Sequence, residues 1–158
     1  MDPLVLLAPM EPARSGNGLA RRAAHFVTAA SNAFDTTVCV IPISGYEDYR
    51  PAAPSIVPTI HVRLGPRGHE GSDSMASASW RRRLSSALPF PPAANFAPPT
   101  LASEVSARLR DAGVPSGAAV HVMRASLAPL GVALSEVLRA PWRTLDLDDD
   151  DASLAAST

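Results

Sequence analysis

The chain has 158 residues, enough for one ordinary domain and too few for a two-domain enzyme of usual size. With 46% hydrophobic and 18% charged residues it can bury a real core, and its formal net charge of -1 gives no global attraction to nucleic acid or to an anionic membrane. All 14 basic residues are arginine, and the single cysteine, Cys39, rules out an intrachain disulfide framework and a cysteine-only zinc site. The lone cysteine, the absence of a membrane-length apolar run and an amino terminus without a positively charged leader predict a cytoplasmic chain.

Leu4 to Ala8 is a continuous apolar run stopped by Pro9, as expected for a strand buried on both faces of a parallel sheet. A loop containing Pro12 and Ser15-Gly-Asn-Gly18 follows. Leu19, Ala23, Phe26, Val27, Ala30 and Phe34 then recur on one helical face. The β-branched run Thr37 to Ile43 predicts a second strand, and Thr59 to Leu64 a third, less apolar and nearer an edge. An irregular, proline-rich insertion spans about 65–99, with a short helix expected around Met75 to Leu88. Leu101, Val105 and Leu109 mark a helical stripe closed by Gly113 and Pro115. Ala119 to Met123 predicts a fourth strand. Leu127, Leu130, Leu134, Val137 and Leu138 predict a helix with Pro129 in its first turn, and Thr144 to Asp148 a fifth strand. Strands alternating with helices imply a single Rossmann-like three-layer α/β/α domain over 1–158, with a mostly parallel sheet.

In such sheets ligands bind beyond the carboxyl ends of the strands, which singles out three groups. Gly16 and Gly18, with Asn17 between them, let the backbone approach a ligand before the first helix, and Arg21 and Arg22 stand in that helix's first turns. The spacing is not the dinucleotide fingerprint, since Arg21 replaces its third glycine, nor a Walker loop, since the chain has no lysine. An ordinary turn with a helix cap is the alternative. The second group is His121, Arg124 and Ser126, in which Arg124 sets a charged fork at the crevice rim and His121 reads as a strand histidine with a satisfied ring nitrogen. His25 reads as packing or surface. The third is the acidic run Asp146, Asp148, Asp149, Asp150 and Asp151. With Leu145 and Leu147 facing the core, Asp146 and Asp148 share the other face, and a carboxylate within an apolar strand needs a partner or a wet crevice.

Pro9-x-x-Pro12, Ser15-Gly-Asn-Gly-Leu-Ala-Arg-Arg22, Val120-His-Val-Met-Arg124 and Thr144-Leu-Asp-Leu-Asp-Asp149 together resemble the amino-terminal domain of bacterial GT-B glycosyltransferases of the retaining, glycogen-synthase-like group. The resemblance implies an acceptor-side domain that faces a second, donor-binding domain across a cleft. Its partners would be a nucleotide-sugar donor and a glycan or lipid-linked acceptor, with peripheral membrane association. No nucleic acid, cofactor or metal is expected. Gly16 and Gly18 become close-approach positions, Arg22 a charge partner, and Asp148 and Asp149 acceptor-side residues at the cleft end of the fifth strand. With Asn17 and Arg124 these make the expected substrate-binding set, and no catalytic residue is assigned.

The chain departs from the family in stopping at Thr158, before the expected final strand and helix, and in lacking counterparts of the donor domain's basic residue and paired glutamates. The sheet is therefore expected to be incomplete at its carboxyl-terminal side and the isolated chain inactive. A non-catalytic α/β binding or interaction module is the rival reading. A phosphatase built on Asp146-Leu-Asp148 is disfavoured, because that motif normally opens its domain and needs a lysine.

Overall fold

The computed structural model describes residues 1–42, 57–62 and 97–147. Five strands, β1 (Asp2–Ala8), β2 (Phe34–Val40), β3 (Thr59–His61), β4 (Ala119–Met123) and β5 (Arg143–Asp146), form one sheet in the order β3-β2-β1-β4-β5. Every pairing is parallel. Helix α1 (Gly18–Ala30) covers one face, while α2 (Ala102–Asp111) and α3 (Ala128–Leu138) cover the other. The chain is thus a Rossmann-like α/β/α domain.

Strand alternation explains the two cores. Leu6, Ala8, Val38, Val40 and Met123 pack with Leu19, Ala20, Ala23 and Val27 of α1. The intervening Val5, Leu7, Cys39, Val120 and Val122 pack with Val105 and Leu109 of α2 and Leu130, Leu134 and Leu138 of α3. Buried on both sides, β1 has to be apolar throughout, which is why its run reads so clearly. Burial also pushes the Cys39 thiol up to about 12, against the opposing pull of Arg108, so this cysteine behaves as an apolar packing residue. Gly131 brings α3 down onto β4, since a Cβ there would overlap the Val122 side chain.

Several boundaries differ from the sequence reading: β1 begins at Asp2 rather than Leu4, and β5 runs Arg143–Asp146 in place of the expected Thr144 to Asp148. The helix ends at Ala30, and β2 begins at Phe34 and ends at Val40. Three backbone bonds close the turn between them: Ser31 N–H to Val27, Asn32 N–H to Ala29 and Ala33 N–H to Ala30. Phe34 falls at helical spacing from Ala30, but its apolar ring serves a third small cluster around Leu4, Ala30 and Ala119. Leu145 in β5 and Leu147 just after it are 44% and 59% exposed and do not join the core; β5 is the last strand on its side of the sheet among the described residues. The expected Met75 to Leu88 helix, nearly all of the 65–99 insertion and Asp148 onward lie outside the described residues.

Candidate functional site

The strand order reverses between β1 and β4. From β1 the chain moves to β2, whereas from β4 it moves to β5 in the other direction. The loops leaving these two neighbouring strands therefore diverge and leave a crevice at the carboxyl edge, the usual place for a ligand in an open parallel sheet. The glycine-containing loop after β1 and Arg124 after β4 both lie at this edge.

Gly16 has a φ of 91°, a left-handed conformation that disfavours any side chain. Asn17 is the cap of α1: its side-chain oxygen accepts the Leu19 N–H at 2.8 Å, and its carbonyl accepts the Arg21 N–H at 3.1 Å. The capping alternative is therefore correct for the Asn17 side chain. At Gly18 a Cβ would meet nothing within 4 Å among the described residues. This glycine opens a helix whose first turn carries no acidic residue and presents N–H groups beyond the reach of intrahelical carbonyls.

Arg124 is held at φ 82°, ψ 141°, a region occupied almost only by glycine. Its N–H donates to the Asp146 carbonyl at 3.0 Å, and its own carbonyl accepts the Leu127 N–H at 3.1 Å. The strain sits where β4 gives way to a 3₁₀ turn (Ala125–Leu127) leading into α3, with the Ser126 hydroxyl buried beside it and, among the described residues, without a hydrogen-bond partner. Non-glycine residues in such conformations cost on the order of 1–3 kcal/mol and cluster at functional sites. Arg124→Gly is accordingly expected to raise the urea midpoint relative to Arg124→Ala, which keeps the strain. Equal midpoints for the two variants would show that no strain is stored there.

Asp146 ties the segments together. Its carboxylate accepts from Arg22 Nη2 at 2.6 Å, and the same guanidinium nitrogen reaches the Leu147 carbonyl at 3.4 Å. The partner required for a carboxylate in this strand is thus Arg22, which sits unfavourably in the positive end of α1 until Asp146 compensates it. Arg21 is exposed. On the far side of the crevice, Glu11 in the loop after β1 lies 3.3 Å from His61 Nε2 at the end of β3.

No family model, curated protein or solved structure matches this chain. The geometry of the edge therefore stands alone. It brings together the loop of Gly16, Asn17 and Gly18, then Arg22, Arg124 and Asp146, whereas Asp148, Asp149, Asp150 and Asp151 lie outside the described residues. Among the described residues no group of His, Cys, Asp and Glu side chains is placed to hold a metal ion. A recess of about 400 Å³ opens at the opposite, amino-terminal edge, between the start of β2 and the residues before β3, away from all these groups.

Sequence reasoning left three contacts unseen. Phe26 stacks flat on His121, with ring centroids 3.9 Å apart and planes 10° apart. His121 Nδ1 lies 2.6 Å from Thr144 Oγ1, which is the satisfied ring nitrogen expected, while Nε2 is buried without a hydrogen-bond partner among the described residues. The third is the Glu11–His61 pair. No local signal marked the first two, because each joins residues far apart in sequence and depends on how α1, β4 and β5 are placed against one another.

Proposed function

We propose that this chain is the acceptor-side half of a nucleotide-sugar-dependent glycosyltransferase and works in the cytoplasm opposite a donor-binding domain. The observation that carries the reading is the strained Arg124 standing beside the glycine loop at the point where the strand order reverses. In this reading the N–H groups at the start of α1 and the Arg124 guanidinium bind sugar hydroxyls or a diphosphate oxygen, and Gly16 and Gly18 let the backbone come within hydrogen-bonding distance. Asp146 positions Arg22 at the mouth of the crevice. Sugar transfer moves the anomeric carbon from the diphosphate oxygen to an acceptor hydroxyl, whose proton leaves as the nucleoside diphosphate departs. The chain's own part is to orient the acceptor and exclude water.

Gly18→Val tests this, because a Cβ at Gly18 meets nothing within 4 Å among the described residues, so the added side chain is expected to crowd a ligand and not the folded domain. The variant should fold with nearly unchanged stability and, in the enzyme completed by its donor-binding domain, lose about a hundredfold in kcat/KM for sugar transfer. Undiminished transfer by a folded Gly18→Val enzyme would remove the glycine loop from the site. Gly16→Val is the poorer probe, since its positive φ makes any side chain strained there.

A further inference from the structure

On the β5 side of the crevice, α1 is held to the sheet by two contacts one helical turn apart. Arg22 reaches Asp146 Oδ1 at 2.6 Å, and four residues further on Phe26 covers the His121 imidazole. Their strand partners also stack, because Thr144 and Asp146 pair with His121 and Met123 in the β4–β5 register. His121 is therefore enclosed by Phe26 from α1, Leu6 from β1 and Thr144 from β5, and is only 8% exposed. The charged group acting on it is Asp146 from β5, which holds Arg22 of α1; on the same face β1 contributes Leu4, Leu6 and, at its exposed amino-terminal end, Asp2.

We propose that His121 is a proton-operated latch, which keeps α1 docked on β4 and β5 while its ring is neutral and releases it when the ring is charged. The inference does not depend on what the crevice binds. A neutral imidazole is satisfied at Nδ1 by Thr144 and can accept flat burial under Phe26. An imidazolium has two N–H donors, and the one at Nε2 would be buried without an acceptor among the described residues. The charged ring is satisfied only by reaching water, which breaks the stack with Phe26. Arg22, one turn nearer the helix start, then loses its fixed seat on Asp146, and the mouth of the crevice loosens.

Burial lowers the His121 pKa below its ordinary 6.5, while the Asp146 carboxylate opposes the shift. The undocked state thus takes up the proton first as pH falls through about 6.5, so docking is full above that value and weakens below it until the docked ring also titrates. One proton per opening means that the opening equilibrium grows by up to tenfold per pH unit in that window.

Hydrogen exchange of the α1 amides from Arg22 to Ala30, corrected for intrinsic rates, tests this between pH 7.5 and 5.5. The wild-type chain should open progressively more as pH falls, and His121→Gln and His121→Phe should give flat profiles. A flat wild-type profile, or the same slope in either variant, would overturn the proposal. If both variants fail to fold, the His121 ring resonances of the wild-type chain decide the matter. Their titration midpoint must coincide with that of the α1 amide shifts, and a ring that titrates while α1 stays unmoved would overturn the latch.

Discussion

Leu134→Ala is expected to lower the unfolding free energy by about 2–5 kcal/mol, the range for emptying a fully buried leucine site. Leu134 has no exposed surface and sits midway along α3 between Leu130 and Leu138, each one helical turn away, in the cluster that α3 shares with α2 and the sheet. The loss has two parts, the transfer energy of the removed carbons and the cavity they leave. Little collapse can fill that cavity. Gly131 already presses the helix backbone on Val122, so α3 cannot settle further onto β4. Against a usual total of roughly 5–15 kcal/mol this is a large fraction. It is read as a fall in the urea midpoint at unchanged denaturant slope. A loss below about 1 kcal/mol would mean that α3 is not clamped to the sheet as described.

The isolated 158-residue chain is expected to transfer no sugar from any nucleotide-sugar donor. Transfer requires donor and acceptor to be held together in an enclosed cleft, and orienting two reactants accounts for roughly 7–11 kcal/mol of barrier lowering. One Rossmann-like unit supplies one wall. The crevice edge offers Arg124, the α1 amides and an Arg22 already neutralised by Asp146, so closure over a diphosphate has to come from a facing domain. Supplying a separately expressed donor-binding domain should restore turnover. Multiple turnovers by the chain alone would refute the half-site account, and failure of restoration with every donor domain would leave the binding-module reading.

The sheet was legible because its strands obey a strong rule. Leu4 to Ala8 and Ala119 to Met123 are buried on both faces, so their composition leaves little choice of structure. The α1–β2 boundary was not legible, since Phe34 satisfies a helical spacing while serving a strand, and only the Ser31 to Ala33 turn resolves the conflict. Local composition cannot say that Leu145 is exposed, because that depends on which element covers its face of the sheet, and among the described residues none buries it. The rim followed from topology once the strands were placed, and Gly16, Gly18 and Arg124 could be named from their positions alone. The strain at Arg124 and the His121–Thr144 and Phe26–His121 contacts could not. They join residues far apart in sequence and need the register of β4 against β5 to be known.

In the proposed reading, ligand binds at the carboxyl edge between β1 and β4. This is tested most directly by titrating the isotope-labelled chain with UDP-glucose, GDP-mannose and short glucan or mannan oligosaccharides while following its amide resonances. Shifts should concentrate at Gly16, Asn17, Gly18, Arg22 and Arg124 and be reduced in Gly18→Val. Shifts centred instead on Ser31, Phe34 and Asp35, beside the recess at the opposite edge, would contradict it.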